Sequence, residues 1–467
     1  MKMWSGRFRQ SLDADFERWQ RSFEFDRRLL REELAASRAH AGALKTAAVL
    51  SSSELIAILQ GLEQIAEKAA SSPAFLENNE AEDVHHFVEK QLVVLIGDTG
   101  YKLHSGRSRN EQIATDLRLY VRAAIDQMRV DLSDCLSAFL DRAEQTGNSA
   151  MPAYTHLQRA EPVLVSHWLL AYVEMFLRDT ERLTDCRKRV NLSPLGSGAV
   201  AGATLPLDRR AMAQELGFDG PTANSIDATC DRDFTLEFVG VLSVLAMHLS
   251  RWAEEMILFS SQEYGFIRLP EAYSTGSSAM PQKMNPDLLE LTRGKAARII
   301  GDATALLVTM KGLPLAYNKD LQETQQPLFD AADTVLSLLP LASGWMKAVE
   351  FNHERMQQAS QSGFMNAWAG ATYLVRRGVP FRLAHEQIGK AVQTCIERNC
   401  ELADLPLEEL RQLNPVFDQE FYSCLSLQAV LHIHDVPGGT APVRVRQAIT
   451  DARKKVEAMR EEVHAHA

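Results

Sequence analysis

The chain has 467 residues, which at roughly 150 per domain suggests about three domains. Its 46% hydrophobic content supplies a large core, while glycine (25) and proline (17) make up about 9% of the chain against a usual ~12%, too few for a turn-rich all-β protein. The formal charge of −11 argues against a general nucleic-acid or acidic-membrane surface. No apolar run approaches the ~20 residues that span a bilayer. The N-terminal Met1-Lys2-Met3-Trp4-Ser5-Gly6-Arg7-Phe8 lacks the apolar stretch of a signal peptide. Six cysteines, scattered from Cys135 to Cys424, form neither a disulfide framework nor a CxxC metal pair. A cytoplasmic protein in a reducing compartment is expected.

Helical periodicity recurs along the chain, and alternating strand patterns are scarce. Ser51 with Glu54 has capping-box spacing ahead of a stripe at Leu55, Leu59, Leu62 and Ala66. Val84, Val88 and Leu92 form a second stripe, stopped by Gly97. Ser108 and Glu111 repeat the capping box and open the longest run, with Ile113, Leu117, Val121, Ala124 and Met128 inward. It reaches Gly147 without a proline, about 38 residues or ~57 Å. Further helices are expected over about 162–190, 227–264 and 285–310, the last with Asn285 as cap and Pro286 at its first position. Another follows Leu321 to about Met346, and a last one starts after Gly438-Gly439-Thr440-Ala441-Pro442. Stripes this long and broad point to a self-associating bundle. Shorter helices after about residue 357 mark a separate C-terminal part. The expected division is 1–106, 107–356 and 357–467.

Three polar segments interrupt the helices. In Leu103-His104-Ser105-Gly106-Arg107-Ser108-Arg109-Asn110-Glu111, Arg109 and Asn110 fall in the first turn of the longest helix, beside unpaired N–H groups. Arginines at a positive helix end suit a carboxylate or phosphate. By spacing alone, a capped helix with solvated arginines accounts for the segment better. Tyr154-Thr155-His156-Leu157-Gln158-Arg159-Ala160-Glu161-Pro162 offers a hydroxyl and an imidazole on a loop, although a lone histidine is more often structural. The segment from Tyr273 to Asp287 carries the strongest signal. Small hydroxyl residues and Gly276 make a mobile loop, and Lys283 and Asn285 arrive at a helix start. Such a loop can close on an anion and exclude water.

Other candidates are weaker. Gly196-Ser197-Gly198-Ala199-Val200-Ala201-Gly202 misses GxGxxG and follows no strand, so it is not a dinucleotide site. His85-His86 and His432-Ile433-His434-Asp435 lack a third metal ligand at recognisable spacing. HExxH, P-loop and GxSxG patterns are absent from the sequence.

Gly276-Ser277-Ser278-Ala279-Met280-Pro281-Gln282-Lys283-Met284-Asn285-Pro286 resembles the signature loop of the fumarase/aspartase superfamily. Four more segments resemble argininosuccinate lyases: Trp4–Phe8, Ser105–Gln112, Tyr154–Gln158 and Tyr317-Asn318-Lys319-Asp320-Leu321-Gln322-Glu323. Asn224–Asp227 and Asp231–Phe234 also match, and the C-terminal third fits more loosely. The resemblance implies an all-α, three-domain lyase whose long central helices form a tetrameric twenty-helix bundle, with active sites assembled from three chains. It implies reversible cleavage of argininosuccinate to arginine and fumarate, the last step of arginine biosynthesis, with no cofactor and no metal.

By this resemblance the substrate contacts are Ser22, Asp26, Asp83, Arg109, Asn110, Thr155, Lys283, Asn285, Tyr317 and Gln322. The catalytic residues are Ser277, His156, Glu290 and Lys283. Ser277 is the base, and His156, oriented by Glu290, is the candidate acid, with a water as the alternative. Met284 and Gln325 depart from the family pattern, each standing where a lysine is usual, and Gln325 weakens contacts at the amino-acid end. Two rivals remain: another superfamily lyase, acting on adenylosuccinate or aspartate, and a non-catalytic structural homologue. The context of Arg109 and Asn110 with the Tyr317–Glu323 segment argues against the first. The joint presence of Ser277, His156, Lys283 and Glu290 argues against the second.

Overall fold

A computed structural model describes residues 10–77 and 80–466; the Trp4–Phe8 segment lies outside the described residues. Helices dominate, with four two-stranded ladders among the described residues. The chain divides into two compact units, 1–127 with 182–243 and 298–334, and 128–181 with 244–297 and 335–467. Every boundary between them falls inside one of five long helices: Arg109–Gln145, Val165–Val190, Asp233–Ser260, Asp287–Met310 and Gln325–Ala348.

In the first unit, Leu30–Thr46 packs on Ser52–Ser71 and Val84–Ile96. The capping box is present: Ser51 Oγ accepts from Glu54 N, and Glu54 Oε2 accepts from Ser51 N at 2.8 Å. The buried stripe of this helix is Ile58, Gly61, Leu62 and Ile65, so Leu55, Leu59 and Ala66 are corrected to half-buried flanks. Gly61 causes the offset. A β-carbon there would lie 2.5 Å from Leu92 Cδ1, so the closest approach of the two helices centres on the glycine. Val84, Val88 and Leu92 are buried as expected, and Gly97 ends their helix at φ +65°.

The 37-residue helix Arg109–Gln145 buries Ile113, Leu117, Val121, Ala124 and Met128. Half of its capping box is as read: Ser108 N donates to Glu111 Oε1 at 3.0 Å, while Ser108 Oγ accepts from Asn110 N at 3.3 Å rather than from Glu111.

Other helix limits need correction. The helix expected from 162 begins at Val165, because Ala150–Thr155 and Gln158–Leu164 form an antiparallel hairpin. Pro152 stands opposite Pro162 in it, and prolines, lacking a ladder donor, hide a strand from pattern reading. The run expected over 227–264 is two helices, Ser225–Cys230 and Asp233–Ser260. Asp231 leaves helical geometry to accept from Asp233 N at 2.7 Å and to pair with Arg118. Asn285 is not a cap: it pairs with Thr275, and the carbonyl of Pro286 accepts from Leu289 and Glu290 before the helix from Asp287. A 3₁₀ turn, Lys319–Thr324, precedes Gln325–Ala348.

One helix also corrects the bilayer-span reading. Asp233–Ser260 is long and apolar enough to cross a membrane by length and composition, and half of its apolar window is buried within the protein. In the second unit Trp252, on this helix, meets Trp345 edge to face at 5.3 Å beside Phe139 and Phe176. A further cluster in that unit gathers Tyr373, Leu374, Ile388, Phe417 and Phe421, and the last helix runs Pro442–His466.

The capping box generates a direct test. Ser51→Ala removes the acceptor for Glu54 N and is expected to cost about 1 kcal/mol locally. Amide exchange across residues 55–62 then speeds up roughly fivefold. Unchanged exchange there would show that the cap contributes nothing.

Candidate active site

Helix starts position the polar residues of the first unit. Asp83 caps Val84–Ile96, its Oδ1 accepting from His86 N at 2.7 Å. Its other oxygen lies 2.9 Å from Arg109 Nη1, in the first turn of the long helix. Arg109 also meets Glu82 at 3.2 Å, and Lys319 stands 3.7 Å from Glu82. Asp26 accepts from Ser22 Oγ at 2.6 Å and from Val84 N at 3.0 Å. Gln322 donates to Gln20 O, and Asn110 donates to Ala199 O. Burial pushes the Tyr317 phenol up, against the charge of Arg232, with Asp83, Glu82 and Arg109 also close enough to act on it. Seven residues picked from the sequence, Ser22, Asp26, Asp83, Arg109, Asn110, Tyr317 and Gln322, thus lie within one unit. Five of them share direct or electrostatic partners.

Acids and bases interleave here, so the cluster suits a ligand carrying both signs of charge. Sequence reading missed Glu82, Lys319 and Arg232. Glu82 adjoins Asp83 and Lys319 falls between Tyr317 and Gln322, and the acidic pair Glu82-Asp83 before a helix was the available signal. Arg232 lies in the matching Asp231–Phe234 segment, but its burial is a tertiary fact. Gln325 is buried, and its Oε1 has no hydrogen-bond partner among the described residues. The glycine-rich segment 196–202 covers the start of the long helix: Gly198 N donates to Glu111 Oε2 at 2.9 Å. A β-carbon on Gly198 would lie 2.7 Å from Gly202 O, and its φ of +62° also favours glycine.

In the second unit, Thr155 and His156 sit at the tip of the 150–164 hairpin rather than on an irregular loop. His156 and Leu157 are the two turn residues, with φ of +53° and +58° between the paired Thr155 and Gln158. Two positive φ values are those of a type I′ turn, usually met by Asn-Gly. Holding a histidine and a leucine there costs backbone strain and leaves both side chains exposed.

The segment 277–283 is closed at its base by pairing of Thr275–Gly276 with Met284–Asn285. Asp287 Oδ2 adds bonds from Thr275 Oγ1 at 2.6 Å and Thr275 N at 3.2 Å. Inside the loop, Ser277 Oγ accepts from Ala279 N at 3.3 Å and Met280 N at 3.1 Å. Two backbone N–H groups aimed at one hydroxyl oxygen favour negative charge on it. Lys283 is exposed, and Glu290 stands exposed on the first turn of Asp287–Met310. Glu290 and His156 share no hydrogen bond among the described residues. A cavity of about 720 Å³ lies under Gln282 and Met284, lined also by Arg268 and His353; Ser277 and Lys283 do not line it.

The histidines near acidic residues have other partners. His432 bonds within its own helix to Gln428 O, and His434 meets Glu161 at 3.3 Å. His85 does gain partners: Glu33 and Asp116 bring ligand atoms within 4.8 Å of one another. Arg107 lies 3.7 Å from Glu33, and His85, Ser37 and Gln112 hydrogen-bond to the same carboxylate, so these groups do not fit a cation.

Burial, joined by the negative charge of Asp83, pushes the Asp26 carboxyl up to about 7 against the opposing bond from Ser22. The folded value exceeds the unfolded one of about 3.9, so the native state binds the proton more tightly between them. Its stabilising contribution is complete below about pH 4 and lost as pH rises through about 7. Asp26→Asn stays neutral throughout. The urea midpoint of the parent should therefore fall relative to the variant across that window, and parallel profiles would contradict this assignment.

Comparison with known proteins identifies the family. The lyase family matches residues 6–301, and the argininosuccinate lyase C-terminal family matches 364–432, within the third that resembled it only loosely. The argininosuccinate lyase of Koribacter versatilis is 58% identical over 467 residues, covering all of both chains. That of Acidobacterium capsulatum is 55% identical, covering 97% of this chain and 95% of its own. A solved EDDS lyase variant with bound fumarate superposes with a TM-score of 0.84 at 25% identity, over 98% of this chain and 93% of that one. Class II fumarase from Schistosoma mansoni has the same fold, with a TM-score of 0.72 at 17% identity over 85% and 90% of the two chains. The chain belongs to the argininosuccinate lyase family, within the fumarase/aspartase superfamily.

Proposed function

We propose that this chain catalyses the reversible β-elimination of argininosuccinate to L-arginine and fumarate by a serine-base mechanism. The observation that carries the mechanism is the pair of backbone N–H groups on Ser277 Oγ. A serine hydroxyl is too weak an acid to act as a base unless its alkoxide is stabilised, and these donors, with Lys283 nearby in sequence, supply that stabilisation.

In this reading Ser277 removes a proton from the carbon next to a succinyl carboxylate, and the electron pair moves onto that carboxylate. The dianionic intermediate is bound better than the substrate by Lys283, Asn285 and Thr155. The electron pair then returns to form the double bond of fumarate as the carbon–nitrogen bond breaks. His156, oriented by Glu290, protonates the leaving guanidinium nitrogen. Asp26, Asp83, Arg109, Asn110, Tyr317, Gln322 and Ser22 hold the zwitterionic remainder of the substrate.

The proposal extends to a cytoplasmic homotetramer of three-domain chains, divided at 1–106, 107–356 and 357–467. Each site draws on different chains and uses no cofactor, metal, nucleic acid or membrane. Glu290 then meets His156 across subunits.

Absorbance of released fumarate tests the substrate. Argininosuccinate should be cleaved, with negligible release from adenylosuccinate or aspartate, and comparable turnover of adenylosuccinate would overturn the assignment. Ser277→Ala tests the base. It should remain folded and bind argininosuccinate while kcat falls at least ~10³-fold. Near-parental kcat would remove Ser277 from that role.

A further inference from the structure

Three helices of the first unit bury a charged group that the mechanism above does not use. Glu33 comes from Leu30–Thr46, His85 from Val84–Ile96, and Gln112 and Asp116 from Arg109–Gln145. All four are buried. Glu33 is the centre. It accepts from His85 Nδ1 at 2.7 Å, from Ser37 Oγ at 2.7 Å and from Gln112 Nε2 at 3.2 and 3.3 Å. Arg107 lies 3.7 Å from it and bonds Ser37 Oγ at 2.9 Å. Asp116 Oδ2 lies 3.7 Å from the same ring nitrogen of His85.

Burying this much charge is expensive, and apolar packing of equal volume would hold three helices at least as well. The network has a more specific geometry. Asp83 caps one of the helices it joins and Arg109 opens another, 2.9 Å apart. His85 follows Asp83 by two residues, and Arg107 precedes Arg109 by two. Between them, Val84 N donates to Asp26 and His86 N donates to Asp83. A shift of either helix start therefore separates Asp83 from Arg109 directly.

We infer that His85, held by Glu33 with Asp116 beside the same ring nitrogen, is a positioning residue that sets the Asp83–Arg109 spacing and thereby the binding of the substrate's charged end. The inference rests on the proposed argininosuccinate reading for its kinetic readout only. His85→Gln retains a donor toward Glu33 and removes the ring. Asp116→Asn is the milder variant and decides the matter if the first does not fold.

Two measurements are made on each. KM for argininosuccinate should rise roughly tenfold with kcat within about threefold of the parent, the mark of lost binding rather than lost chemistry. Hydrogen exchange at the amides of Val84 and His86 should accelerate by a similar roughly tenfold factor, while exchange in the middle of Ser52–Ser71 stays unchanged. Folded variants with parental KM and parental exchange at both amides would overturn the inference. So would stoichiometric metal in the purified protein, because the three groups would then be ligands. If the parent releases no fumarate from argininosuccinate, the functional reading falls instead, and the exchange at Val84 and His86 still decides whether His85 positions Asp83.

Discussion

The first turn of an α-helix leaves backbone N–H groups without intrahelical partners, and this one constraint organises the chemistry of the chain. Asp83 satisfies such a group for Val84–Ile96, and Ser108 and Glu111 shape the entry to Arg109–Gln145. Asp287, at the first position of its helix, holds the base of the Ser277 loop. The Lys319–Thr324 turn carries Gln322 immediately before Gln325–Ala348. Asp83, Arg109, Asp287 and Gln322 thus stand where helices begin, beside backbone groups that a helix interior would already have paired. These polar groups sit at the ends of helices whose middles supply the core.

Electrostatics within the first unit follow from burial as much as from pairing. Asp26 sits deep, beside Asp83, and two hydrogen bonds do not keep its carboxyl in the usual range. Glu33 behaves oppositely. Burial would push its carboxyl up, but His85, Arg107 and Ser37 together bring it down to about 2. The contrast is one of donor number and sign. Four side chains offer hydrogen or positive charge to Glu33, whereas at Asp26 a hydroxyl, one amide and His85 are outweighed by burial and an acidic neighbour. The second unit uses backbone instead: the Ser277 loop supplies N–H groups, and the His156 turn stores strain.

Length, hydrophobic periodicity and a few ordered motifs sufficed for the helical class, the long helices and the family. These signals are local, and the inward positions of Arg109–Gln145 or the cap at Ser51 need no knowledge of distant residues. Tertiary structure decided what depends on a neighbour. Gly61 turned a stripe because Leu92 lies against it, and paired prolines concealed the hairpin that holds Thr155 and His156. Asp231 ended a helix for the sake of Arg118 and Asp233. His85 offered no third ligand in sequence, since Glu33 and Asp116 lie on two other helices, 52 positions before it and 31 after. Local spacing fixes which face of a helix is apolar; only the folded chain determines which charges that face is packed against.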